Sequence, residues 1–293
     1  FVNQKRTPHD RNGHGTHIAG VIANTQVGQD REWNGMAPGV NLVGVRVLDE
    51  TGAGTYEKII QGLQWVIEKK DRYNIRVVNL SLWANPSSAY WADPLNIAVT
   101  RAWAEGLVVV TVAGNSGPDP MTVAVPGNNP YAITVGAFTD NYTVDGWSDD
   151  YITPFSASGP TLDGFVKPDL IAPGAHIVST MFPGSFVARQ DAATWVSNTY
   201  YSMAGTSQAA AITSGAAALI LARNPDLTPD EVKYRLTITA LPWVTEDGSD
   251  VLYSMWQQGA GRLNVYDAVM SDEINGASNQ GLDIWADLAG DLH

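Results

Sequence analysis

From Met203 to Ile220 the chain reads Met-Ala-Gly-Thr-Ser-Gln-Ala-Ala-Ala-Ile-Thr-Ser-Gly-Ala-Ala-Ala-Leu-Ile, and no other stretch constrains the fold as much. Its length and alanine content are those of a buried helix. Gly205 lets the backbone turn where a Cβ would clash, so the helix starts just after it. Ser207 is thereby held in the first turn. Free backbone N–H groups and the positive end of the helix dipole favour a developing anion there, which suits a hydroxyl that becomes a nucleophile. Taken alone, a serine before an alanine-rich run is an ordinary N-cap, so a chemical role for Ser207 needs support from the rest of the chain.

A chain of 293 residues that is 44% apolar can bury a large core as one domain or at most two. It carries 17 basic and 30 acidic residues, a formal charge of -13, which argues against a nucleic-acid or anionic-membrane surface. Cysteine is absent, which excludes disulfides, thiolate catalysis and cysteine-ligated metals and leaves the cellular compartment open. No apolar run reaches the roughly 20 residues of a spanning helix. Phe1-Val2-Asn3-Gln4-Lys5-Arg6 lacks the pattern of a signal peptide, and the chain starts abruptly, as though another segment preceded it.

Asp10 to Ala23 reads as a loop entering a helix near His14. His14 and His17 stand at i, i+3, but there is no His-Glu-x-x-His arrangement and no evident third ligand, so a metal pair is disfavoured. The β-branched run Val40 to Leu48, bounded by Pro38-Gly39 and Asp49, predicts a buried strand. The turn Thr51-Gly52-Ala53-Gly54 then leads to a helix from Tyr56 to Lys70, with Ile59, Ile60, Leu63, Val66 and Ile67 on one face. A second strand is expected over Val77 to Leu82. Asp93-Pro94 opens another helix, and a third strand from Leu107 to Val112 runs into Ala113-Gly114-Asn115-Ser116-Gly117. Continuous apolar strands alternating with helices predict an α/β fold: a three-layer, doubly wound, mostly parallel sheet with helices on both faces.

In such sheets ligands bind beyond the carboxyl ends of the strands. That singles out Gly52 to Gly54, Ser81 to Ala84 and Ala113 to Asn115, where exposed glycine-rich backbone can pair with an extended peptide. Asn115 offers an amide donor of the kind that stabilises an oxyanion, though alone it is also a common turn residue. Further on, Thr228-Pro229-Asp230-Glu231 is a capping box and a last core helix is expected over Val265 to Met270. The domain is assigned to residues 1–270. Residues 271–293 form an acidic tail, with Asp272, Glu273, Asp283, Asp287 and Asp291 and no Lys or Arg. Within it Ile284, Trp285 and Leu288 suit a short docking helix, and a linker fits the composition equally.

Gly13-His14-Gly15-Thr16-His17-Ile18-Ala19-Gly20, Val47-Leu48 with Gly54-Thr55-Tyr56, Asn79-Leu80-Ser81-Leu82, Ala113-Gly114-Asn115 and Gly205-Thr206-Ser207 resemble, in order and spacing, the subtilisin-like serine peptidases. Later blocks, Phe155 to Pro160, Lys167-Pro168-Asp169, Ala172-Pro173-Gly174 and Asn224 to Val232, look most like the bacterial AprX-type branch of the subtilases. The resemblance implies a serine endopeptidase acting through an acyl-enzyme on extended polypeptide. His14 would be the general base, Ser207 the nucleophile, and Asn115 with the Ser207 N–H the oxyanion donors, subtilisin itself being a standard case of this arrangement. Gly52, Ala53 and Gly54 with Ser81, Leu82 and Trp83 would flank the substrate backbone. Ala113 and Gly114 would line the pocket before the scissile bond, and Tyr56 a pocket further away. No cofactor is implied for the chemistry; structural calcium is implied only as a family habit of the Asn24 to Trp33 loop, whose acids Asp30 and Glu32 are few.

Three departures carry information. The family draws its third triad member from an upstream Asp-Ser/Thr-Gly turn, and no such turn precedes His14 here; Asp10 reads as a surface or capping residue. A separate N-terminal fragment of the same protein carrying that aspartate is therefore the expected partner. The alternative is a catalytically silent peptide-binding or regulatory module that has lost its aspartate strand. Trp83 stands where the family usually has glycine, either roofing a pocket or packing on Tyr90 and Trp91. Gln208-Ala209-Ala210-Ala211 replaces the common Met-Ala-Thr/Ala-Pro.

Overall fold

The computed structural model describes residues 9–28, 31–143, 146–190, 193–245 and 248–291. Helix starts follow local chemistry. α1 (His14–Ala23) begins at Gly13, whose φ of 100° is left-handed. α2 (Tyr56–Tyr73) is capped by the Thr55 hydroxyl, which accepts from the Lys58 N–H, and is stopped by Asn74 at φ 51°. The strand β1 (Val77–Leu80) precedes α3 (Pro94–Ala104), where the Asp93 carboxylate accepts from the N–H groups of Leu95 and Asn96 and proline occupies the first turn. The strands β2 (Val108–Val112), β3 (Ile133–Thr139), β4 (Tyr151–Ile152) and β5 (Leu170–Pro173) follow. Next come β6 (Ile177–Thr180), a short α4 (Phe186–Arg189), β7 (Thr194–Ser197) and β8 (Tyr200–Met203). The remaining helices are α5 (Thr206–Arg223), α6 (Pro229–Ile238), α7 (Met255–Gln258), α8 (Val265–Met270) and α9 (Ile284–Ala289). The expected capping box at α6 is formed by Thr228 and Glu231.

β1, β2, β3 and β5 lie side by side in parallel, with Val77 opposite Val108, Val110 opposite Ile133 and Val135 opposite Leu170. β4 joins the end of β3 in the antiparallel sense. β2 and β3 are buried along their whole length, as strands covered on both faces must be. α2 and α3 pack together, with α3 against β2; α5 runs across β1, β2, β3 and β5 and carries α1, α6 and α8. Its alanines at 209, 210, 216 and 217 are wholly buried, and their small side chains let it sit close to the sheet. This is the three-layer α/β arrangement expected from the sequence. A second, antiparallel sheet of order β6-β8-β7 was not foreseen.

The run Val40 to Leu48 does not form the expected strand. Among the described residues no ladder pairs with it, and a strand needs a neighbour to bond its backbone. Leu42 and Val43 are exposed, while Val45 and Val47 rest against the core. β1, at the edge of the sheet, is likewise only half-buried over Val77 to Asn79.

The acidic tail is docked. Leu282 and Ile284 pack on the main core, the Arg101 guanidinium lies over the Trp285 ring, and the Asp287 carboxylate accepts from the hydroxyls of Tyr90 and Tyr131, each at 2.7 Å. Beneath β3, Asp169 accepts from Lys167 Nζ at 2.6 Å and the Thr134 N–H at 2.7 Å and pairs with Lys233 Nζ at 3.2 Å, both lysines being buried and the carboxylate nearly so.

Candidate active site

Ser207 is the second residue of α5, where the helix leaves its first backbone N–H groups without internal acceptors. Gly205 precedes it in extended backbone, φ 162°, a conformation open to any residue. What glycine supplies there is space rather than backbone freedom. A Cβ at Gly205 would lie 3.0 Å from Gln208 Oε1, 3.4 Å from Asn115 Nδ2 and 3.7 Å from the Ser207 nitrogen.

Asn115 is held in one orientation. Its Oδ1 accepts from the Thr206 N–H at 3.0 Å and the Thr206 hydroxyl at 2.9 Å. The Nδ2 donor is thereby turned toward the Gly205 space, which it flanks together with the Ser207 N–H. Both are donors, they converge on one small volume, and the helix dipole adds its field. A second chain of bonds fixes the serine from the sheet side. The Ser81 hydroxyl donates to the Ser207 carbonyl at 3.1 Å, Asn79 Nδ2 donates to Ser81 at 2.9 Å, and Ser214 donates to Asn79 Oδ1 at 3.0 Å.

His14 opens α1. A Cβ on Gly13 would meet Ser185 Oγ at 2.4 Å, so both the left-handed φ and the packing demand glycine before the histidine. The Asp10 carboxylate accepts from the N–H groups of Asn12, Gly13 and Thr16 and from the Thr16 hydroxyl, at 2.7 to 3.1 Å, and so anchors the helix start. Burial lowers the His14 pKa below 6.5, opposed by the charge of Asp10. Among the described residues no carboxylate oxygen bonds either ring nitrogen of His14. α1 packs on α5 through Ile18, Val21 and Ala211. Ile18 and Ala211 stand about one helical turn beyond His14 and Ser207 respectively.

His17 stands three residues further along α1. It is fully buried, its Nε2 donates to the Tyr201 carbonyl at 3.0 Å, and burial holds its pKa down at about 4, so it stays neutral. Among the described residues no group of three or more His, Asp or Glu could hold a metal. Asp30, one of two acids weighed for calcium, lies outside the described residues; the Glu32 carbonyl accepts from the Gly28 N–H.

The predicted walls come from separate loops. Asn12 Nδ2 donates to the Glu50 carbonyl at 3.0 Å, tying the turn before Gly52, Ala53 and Gly54 to the loop that carries His14. Tyr56 donates to Asp93 at 3.1 Å, and burial with that neighbouring charge pushes its pKa to about 12. Leu82 packs toward the core and Trp83 is 43% exposed, while Tyr90 makes an edge contact with Phe165. The Ala113 and Gly114 carbonyls already accept from the N–H groups of Ala124 and Ala157, so that segment is less open to a strand-like ligand than its glycine suggested. Thr206, which fixes Asn115, was not foreseen; nor was Gln208, visible in the sequence only as a departure.

The model of the subtilase family matches residues 1–264. The chain is a subtilase. It is 43% identical over 274 residues to the serine protease AprX of Bacillus subtilis (strain 168), an alignment covering 92% of this chain and 60% of that protein. Identity to subtilisin DY of Bacillus licheniformis is 34% over 267 residues, covering 90% of this subtilase and 80% of the relative. Among solved structures, a cold adapted subtilisin-like serine proteinase superposes with a TM-score of 0.63 at 30% identity, covering 90% of this chain and 77% of that one. Sphericase gives 0.71 at 25% identity, covering 89% and 80%.

Proposed function

We propose that this subtilase is a serine endopeptidase that cleaves extended polypeptide through an acyl-enzyme. The observation that carries the reading is the Gly205 space, flanked by Asn115 Nδ2 and the Ser207 N–H. His14 takes the Ser207 hydroxyl proton as Oγ attacks the peptide carbonyl carbon. The negative charge moves to the carbonyl oxygen and is held by those two donors. On collapse the C–N bond breaks and His14 returns the proton to the leaving amine; water repeats the sequence on the ester.

The aspartate of the triad is assigned to residues upstream of this sequence, as part of the same chain or as a fragment still bound to it. Asp10 is engaged four times over at the start of α1 and is not free for the imidazole. The half-buried edge of β1 and the unpaired apolar run Val40 to Leu48 suit an added strand. Without that carboxylate the imidazole has no group to fix its tautomer, an observation that favours a silent peptide-binding module as the second reading.

A fluorophosphonate probe separates the two. Wild type is expected to label at Ser207 and Ser207→Ala to remain unlabelled; an unlabelled wild type favours the silent module. Intact mass under denaturing conditions reads the partner directly, since an extra fragment of several kilodaltons means a two-piece enzyme.

A further inference from the structure

Gln208 directly follows the nucleophile, where the family commonly carries methionine. Its side chain is 1% exposed, and its Nε2 is buried with no hydrogen-bond partner among the described residues. Its Oε1 lies 3.0 Å from the point a Gly205 Cβ would occupy, the same point that Asn115 Nδ2 approaches to 3.4 Å and the Ser207 nitrogen to 3.7 Å. The amide therefore borders the oxyanion space with its acceptor end and keeps its donor end idle.

Orphaned amide donors in protein interiors are rare and call for an explanation. A carboxamide can turn end for end about its terminal torsion, which has roughly two-fold wells. Turning would bring Nε2 to the place Oε1 holds, beside the two other donors. We propose that Gln208 is a third hydrogen-bond donor to the oxyanion, its amide turning to present Nε2 as charge develops on the substrate carbonyl oxygen. No covalent bond of Gln208 changes. The bond is made to the anion and not to the neutral substrate, so it raises kcat without tightening binding. Methionine at this position has no N–H to give.

The inference rests on the serine-peptidase reading, and the test keeps the two apart. Gln208→Met, which preserves length and bulk, is compared with wild type in the full-length protein. The expected result is a fall in kcat of about tenfold with KM unchanged, and a peptide aldehyde, which forms a tetrahedral adduct, bound about tenfold more weakly. The matching peptide alcohol, which forms none, binds as before. Gln208→Glu is expected to lose activity as its carboxyl ionises with rising pH. Wild-type kcat and aldehyde affinity in Gln208→Met, or equal weakening of aldehyde and alcohol, overturns the inference alone. Should Gln208→Met fail to fold, a pH profile of Gln208→Glu like that of wild type does the same. A wild type that neither hydrolyses peptide nor labels at Ser207 overturns the peptidase reading and this inference with it.

Discussion

The serine and histidine halves of the site are held in different ways. Ser207 is fixed from two sides, by the Thr206–Asn115 pair at the helix start and by the Ser214–Asn79–Ser81 chain from the sheet. His14 is fixed through its backbone, its N–H donating to Asn12 Oδ1 and the preceding Gly13 N–H to Asp10, and its ring has no carboxylate partner among the described residues. On the proposed reading, the oxyanion side is preorganised within this sequence, while the proton-transfer side would take its orientation from a carboxylate outside it. Charge stabilisation and general-base catalysis are therefore separable here by substitution.

The sharpest break is His14→Ala. Hydrolysis of a chromogenic peptide by the full-length protein is expected to fall by roughly 10⁴-fold or more, the scale seen for triad losses in subtilisin-type enzymes, with the thermal midpoint little changed. Asn115→Ala comes next, with a loss of about 10² to 10³ in kcat, because it deletes one donor and releases Thr206. Ser81→Ala tests the sheet-side anchor. It removes the extra donor to the Ser207 carbonyl, which keeps its helical bond, and leaves Asn79 Nδ2 without its Ser81 partner, so urea unfolding is expected to show a loss of about 1 to 2 kcal/mol, while labelling slows only a few-fold. The smallest effect is a shift in pH dependence. Burial lowers the His14 pKa, so the neutral base persists into acid and half-maximal labelling of this chain should lie below pH 6.5. A carboxylate set against the imidazole moves that midpoint upward, and equal midpoints with and without the upstream residues would remove the asymmetry between the halves.

Much of the scaffold was legible because its signals are local. Asp93-Pro94 and the Thr228 to Glu231 box name helix starts, and α8 spans the predicted Val265 to Met270. Val40 to Leu48 misled because apolar β-branched composition records what a strand prefers, whereas a ladder also needs a neighbour. At Gly205 the position of the helix start is legible, while the backbone proves extended and a Cβ would crowd Gln208 Oε1 at 3.0 Å. Lys167-Pro168-Asp169 was visible only as a motif. Its meaning, a carboxylate shared with Lys233 from α6, depends on residues far apart in the chain. The same holds for Thr206, whose partner Asn115 lies 91 positions away.

One tie across the back of the molecule bears on how it is made. Asp287 meets Tyr131 from 156 positions away and Tyr90 from 197, so neither phenol finds this acceptor until synthesis has passed Asp287. On the ribosome, that face of the nascent protein therefore stays open until the segment carrying Asp287 has emerged and turned back onto it.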